Sequence, residues 1–239
     1  MQLVVRVERA HRPTETDVCA TAARAVVLLL DDARCQPGGP WAAAVERWRR
    51  GRIRKVVRRA RAHAWERAQA VDGVTLTGVA SAGEDRPQRR VPADDEASAD
   101  PWAGPAAPEV RAIVPGPTDA VPLEIARLQV RGLDLDDPYR STLADAAAVR
   151  PGVVVALAPI EAFSTGKKAA AAGHAAQLAA EAMAIGRREA WAHAGYPVVC
   201  IQPETERWER LRARAAIVVS DAGFTEVAPG TVTAIAQWV

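Results

Sequence analysis

Residues 64–77, AWERAQAVDGVTLT, align without a gap on residues 207–220, RWERLRARAAIVVS, and share Trp-Glu-Arg at 65–67 and 208–210. The second stretch sits in a longer passage from Tyr196 to Ser220, YPVVCIQPETERWERLRARAAIVVS, which reads as strand, helix, strand, with Pro203 to Thr205 closing the first strand. The matching passage around 53–64 is ambiguous alone, because Ile53, Val56, Val57, Ala60 and Ala64 fit a helix as well as a strand. The alignment decides it: a strand near Ile53–Arg59, a helix over 61–71 and a strand near Val74–Val79. A strand so rich in arginine belongs at a sheet edge, where charge blocks unwanted pairing.

The likeness continues outward. LVVRV at 3–7 resembles VVVAL at 153–157, and EVRAIV at 109–114 resembles TVTAIA at 231–236. Two copies of one unit follow. Each reads strand, long helix, short helix, strand, helix, strand, strand, with the first long helix over about Glu15–Asp31. The expected fold is α/β: two similar three-layer α/β/α units, each with a small four-stranded mixed, mostly parallel sheet, forming a pseudo-dimer. The expected organisation is a degenerate, non-catalytic copy over 1–132, a linker over 133–150 and a catalytic domain over 151–239. The first copy alone carries the Pro-, Ala- and Asp-rich insertion 83–108, expected to lack order.

With 49% hydrophobic and 25% charged residues and a net charge of +2, the 239-residue chain reads as globular and cytoplasmic. Its amino terminus, MQLVVRVER, is a charged strand pattern rather than a secretory signal, and the longest apolar run, Ala25 to Leu30, is too short to span a bilayer. Cys19, Cys35 and Cys200 are odd in number and form no C-x-x-C pair, so neither a disulfide framework nor a zinc site is indicated. No metal and no organic cofactor is expected.

Of 31 basic residues only Lys55, Lys167 and Lys168 are lysine. A lysine kept in so arginine-rich a chain points to a role that a permanently charged guanidinium cannot fill. Ser164 or Thr165 is a natural N-cap and the alanines from Ala169 favour helix, which puts Lys167 in a first turn, where a cation opposes the helix dipole. His174 returns to the same face seven residues on. After the third strand of the second copy comes SDAGFTEVAPGT, 220–231, a turn-rich loop that leaves Asp221 and Thr225 at a strand's end. The first copy has Gly78 opposite Asp221 and no counterpart of the loop. This asymmetry favours one polar site in the second copy.

TGKKAAAAGHAA at 165–176 together with SDAGFTEVAPGTVTAIA at 220–236 resembles the archaeal and eukaryotic-type peptidyl-tRNA hydrolases. That family pairs a helix opening G-K-x-A-A-Q-x-x-H-A with a late D-A-G-x-T-x-x-x-P-G loop, and Trp191 with Gly195-Tyr196-Pro197 resembles its middle element. The first copy's IVPGPTDAVPLEIARL, 113–128, resembles the family's carboxy-terminal helix. The resemblance implies hydrolysis of the ester between a peptide and tRNA, with Lys167, Asp221, Thr225 and His174 as catalytic residues. Ala171 and Glu226 stand where the family has glutamine.

Between Arg47 and Arg61 nine of fifteen residues are basic and none is acidic. Arg52, Arg54, Lys55, Arg58 and Arg59, with Lys168, are therefore candidate RNA contacts, and peptidyl-tRNA is the expected partner of a monomer acting as its own pseudo-dimer. A P-loop is excluded, since Glu161 stands where glycine is required and Lys168 where Ser or Thr is. Two alternatives remain: a non-catalytic RNA-binding relative, and a hydrolase of another acyl ester.

Overall fold

The computed structural model describes residues 1–8, 12–51, 53–80, 106–137, 152–222 and 226–239. Its first half contains β1 (Gln2–Arg6), α1 (Glu15–Asp31), α2 (Ala42–Arg50), β2 (Val56–Ala60), α3 (Ala62–Gln69), β3 (Gly73–Thr77), β4 (Glu109–Ile113) and α4 (Leu123–Ala126). The second contains β5 (Val153–Leu157), α5 (Thr165–Ala182), α6 (Ile185–His193), β6 (Val198–Ile201), α7 (Thr205–Arg212), β7 (Ile217–Ser220) and β8 (Val232–Trp238). The expected element order holds in both halves, and α1 spans the expected residues. Most of the 83–108 insertion and of the 133–150 linker lies outside the described residues.

The two sheets have the same strand order, β2-β1-β4-β3 and β6-β5-β8-β7. Each has one parallel pair, β1 with β2 or β5 with β6, and two antiparallel pairs. The sheets are thus mixed, as expected; three of the four strands in each run the same way, but only one of three neighbouring pairs is parallel, fewer than the alternation implied. Both helical connections of each unit return the chain in the same direction, so β1, β2 and β3 run one way, as do β5, β6 and β7; β4 and β8 run against them and lie between two of them, β4 between β1 and β3 and β8 between β5 and β7. The arginine-rich β2 is an edge strand, as expected. Its outer side is covered by the segment after α4: Arg59 bridges Gln129, and its amide donates to the Gln129 carbonyl at 3.0 Å.

The ladder registers test the repeat independently. The ungapped alignment extends to Val56 and Val199, which pair with Gln2 and Val154. Leu3 and Val155 then pair with Ala112 and Ala236, and these in turn pair with Val74 and Ile217, which the same alignment equates. The register therefore closes around both sheets. It also shows that the sequence matches for the flanking strands are two residues out of step: Leu3 corresponds to Val155, not Val153, and Ala112 to Ala236, not Ala234. A two-residue slip keeps every side chain on its own face, so the hydrophobic pattern could not reveal it.

Alternation along β1 sends Leu3 and Val5 into one core and Val4 into another, and β5 divides Val155 and Leu157 from Val154 and Ala156 in the same way. The outer faces are covered by α3 and α4 (Trp65, Ile125) on one sheet and by α7 (Trp208) on the other. Between the inner faces lie α1 and α5, packed along each other, each also lying on the parallel edge strand of the opposite sheet. Small residues permit this approach: Ala22, Ala23, Ala172, Gly173 and Ala176 are buried there, and a Cβ on Gly173 would come 3.0 Å from Val26. One hydrophobic core consequently spans both units. Among the described residues no helix is long and apolar enough to cross a membrane.

Candidate functional site

The start of α5 is built by its cap. Ser164 has extended backbone and its Oγ accepts from the Lys167 amide at 3.3 Å, which places Lys167 in the first turn. Ser164 is itself gripped by Glu226, whose carboxylate accepts from the Ser164 amide at 3.0 Å and from Ser164 Oγ at 2.9 Å. A carboxylate at this helix end complements the dipole that Lys167 opposes. It also ties the loop after β7 to the helix.

Asp221 follows β7 directly. Its amide donates to the Thr231 carbonyl at 2.9 Å, and the Gly230 amide donates back to the Asp221 carbonyl at 2.8 Å, Gly230 taking a φ of +82°. So held, its carboxylate lies 3.5 Å from Lys167 Nζ, with side-chain exposures of 21% and 25%. Two groups 54 residues apart in sequence meet at a half-buried spot that solvent reaches. At this exposure such a pair adds no more than about 1 kcal/mol to stability.

Lys168 points elsewhere. Its Nζ donates to Glu15 Oε1 at 2.6 Å and to Gln202 Oε1 at 3.3 Å, and its side chain is 13% exposed. Glu15, in the first turn of α1, also accepts from Thr165 Oγ1 at 2.6 Å and from Gln202 Nε2 at 2.5 Å. Thr165 Oγ1 in turn accepts from the Leu135 amide at 3.0 Å. The ammonium of Lys168 is thereby engaged inside the protein rather than offered to a phosphate.

His174 does not join Lys167 and Asp221. Seven residues along the helix is about 10 Å of axial rise. Burial, with Lys55 nearby, pushes its imidazole down to about 4, so it is neutral near pH 7. Lys55 faces α5 as well: its Nζ donates to Gln177 Oε1 at 2.5 Å and lies 5.0 Å from the Trp48 ring centroid. Burial lowers its ammonium to about 7.

Of the other candidate RNA contacts, Arg58 donates to Gln2 Oε1 at 2.9 Å and to the Leu128 carbonyl at 2.8 Å, and Arg59 donates to the Arg131 carbonyl at 3.1 Å and to Gln129 Oε1. These two fasten the segment after α4 onto the edge strand. Arg54 is exposed. Arg52 and Thr225 lie outside the described residues. Among the described residues no group of three or more His, Cys, Asp and Glu is placed to hold a metal ion.

The same place in the first unit is filled. Thr14 caps α1 as Ser164 caps α5, with Thr14 Oγ1 accepting from the Asp17 amide at 3.3 Å, so buried Asp17 holds the position of Lys167. Gly78 follows β3 as Asp221 follows β7, and a Cβ there would meet Thr21 Oγ1 at 2.0 Å and Pro108 Cγ at 2.9 Å. No side chain fits where the second unit carries its aspartate. Sequence reasoning missed the roles of Glu15, Gln202 and Glu226. The acid beside the Thr14 cap was visible, but its partners are 150 or more residues away. In comparisons with known proteins, no family model and no curated protein matches the chain.

Proposed function

We propose that the second unit hydrolyses the ester joining a peptide or N-acylaminoacid to the ribose at the 3′ end of tRNA, releasing tRNA for reuse. The reading rests on one observation above others: Lys167 and Asp221 stand 3.5 Å apart at a capped helix start, and the first unit replaces both, with Asp17 and Gly78. A pair built for packing alone would not need to be restricted to one copy.

In this reading Asp221 orients a water, or takes its proton, for attack on the ester carbonyl, and Lys167 stabilises the oxyanion as it forms or the departing ribose oxygen. The hydroxyl of Thr225 positions one of these partners. The two units act as an internal pseudo-dimer in which the first supports the second. Phosphate contacts come from the arginine-rich run 47–61, in which Arg54 is exposed.

The deciding experiment is release of N-acylaminoacid from N-acylaminoacyl-tRNA by wild type, Lys167→Ala and Asp221→Asn, each checked for folding. A loss of about 10²-fold, about 2.7 kcal/mol of transition-state stabilisation, is expected in each variant. Folded wild type that binds tRNA without turning it over would overturn the hydrolase and leave an RNA-binding protein.

A further inference from the structure

We infer that Glu15 of the first unit is a positioning residue for the Lys167–Asp221 pair, so that the candidate site is complete only with a carboxylate supplied by the unit that lacks the site. Resting on the hydrolase reading for its kinetic consequence, the inference stands on geometry. Glu15 is 6% exposed and accepts three side-chain hydrogen bonds: from Thr165 on one side of Lys167, from Lys168 on the other, and from Gln202 just beyond β6. Lys167 is bracketed by the two α5 contacts, in a first turn whose other fastening is the Ser164 cap held by Glu226.

The direction of each side chain assigns the roles. Two adjacent ammonium groups begin α5; Glu15 draws one inward, and the other meets Asp221. Without the carboxylate at 15, Lys168 loses the anion it is paired with, and Thr165 and Gln202 lose their common acceptor. The first turn of α5 then has a second arrangement open to it, with Lys168 swung toward Asp221 in competition with Lys167. A displacement of about 1 Å at such a turn suffices to lower turnover on the order of 10- to 100-fold.

The test uses the full chain with Glu15→Ala and Glu15→Gln, and Tyr196→Phe as a control. Tyr196 bonds Asp31 across the same inter-unit contact, from the loop beyond α6 to the end of α1. Because the chain has three lysines, selective 13Cε-lysine labelling gives three signals, assigned by single Lys→Arg variants. Glu15→Ala should move the Lys167 signal as well as that of Lys168, while Tyr196→Phe moves neither. On N-acylaminoacyl-tRNA, kcat should fall about 10-fold or more with KM within about twofold, recovering in part in Glu15→Gln, whose amide oxygen still accepts. Should Glu15→Ala not fold, Glu15→Gln carries the test through the same signals. A Lys167 signal and a kcat that stay at wild-type values in a folded Glu15 variant would overturn the inference, as would an equal loss of kcat in Tyr196→Phe. If folded wild type shows no turnover, the hydrolase reading falls, and the Lys167 signal still decides whether Glu15 sets that residue's surroundings.

Discussion

Asp17 and Lys167 occupy one position in two equivalent helices: each lies three residues past its cap, Thr14 or Ser164, and each amide donates to that cap's hydroxyl at 3.3 Å. The charge at this position is reversed between the units. An acid in a first turn suits the helix dipole and a base opposes it, by about 0.3–1 kcal/mol either way. The second unit therefore carries the residue that is worse for its helix, as expected where a function sets the choice.

Lys167→Met should consequently separate activity from stability. Turnover of N-acylaminoacyl-tRNA should drop about 100-fold. The melting temperature should stay level or rise, because the lost pair with Asp221 and the relieved dipole are each worth about 1 kcal/mol or less and opposite in sign. Calorimetry beside kinetics checks this. A marked fall in both would mean that Lys167 is chiefly structural.

Gly78 records how the first unit's equivalent place was closed. Gly78→Ala should destabilise by about 1–3 kcal/mol, since its Cβ would overlap Thr21 Oγ1 and approach Pro108. Thr21→Ala removes the nearer atom, together with a hydrogen bond from its hydroxyl to the Asp17 carbonyl. The double variant should be more stable than the sum of the two single losses predicts, with a coupling of about 0.5 kcal/mol or more in a denaturant cycle. Strict additivity would place the clash elsewhere.

The element order, the place of Lys167 in a capped first turn and that of Asp221 at a strand's end could be read from the chain because local signals carry them: hydrophobic period, the Ser164 cap and the turn formers around Gly230. What could not be read depends on partners distant in sequence. The arginines of β2 look like an RNA patch in one dimension, yet Arg58 and Arg59 reach carbonyls about 70 residues away. Lys168 looks like a twin of Lys167, yet one turns toward Glu15 and the other toward Asp221. His174 shares a helix face with Lys167, but a shared face two turns apart is about 10 Å, beyond hydrogen bonding. The sheet pairing was misjudged because the order of elements along the chain does not say which strands are neighbours: β4 enters between β1 and β3, and β8 between β5 and β7, so one neighbouring pair in each sheet is parallel although three strands run one way.

Glu226 stands where the resembled family has glutamine, and its two bonds to Ser164 give the acid a local purpose. Glu226→Gln keeps one acceptor and loses the charge that complements the helix start, so stability should fall by about 0.3–1 kcal/mol. On the hydrolase reading, removing an anion beside the path of a polyanionic substrate should also lower KM and steepen its rise with salt. Measuring KM for N-acylaminoacyl-tRNA at two salt concentrations separates these effects. An unchanged KM would show that phosphates pass elsewhere.

Lys55 gives the protein a pH dependence of known sign. Burial holds its folded pKa at about 7, below the unfolded value of about 10.4. Between those values the unfolded chain binds a proton that the folded chain lacks, so stability rises with pH across the window. Lys55's contribution is complete above about 10.4 and is lost as pH falls through about 7. Buried Cys19 and Cys200 act oppositely, because burial raises their thiols: the stability they confer is present below their unfolded value of about 8.5 and declines as pH rises past it. Wild type alone therefore shows a mixture of slopes, and the difference between wild type and Lys55→Met isolates the lysine. That variant also leaves Gln177 Oε1 without its donor, a cost of about 1–3 kcal/mol that does not vary with pH. The quantity to compare is accordingly the slope of unfolding free energy from pH 7 to 10, from denaturant melts at matched m-values. It should be less positive in Lys55→Met than in wild type; equal slopes would mean that Lys55 keeps its proton in the fold.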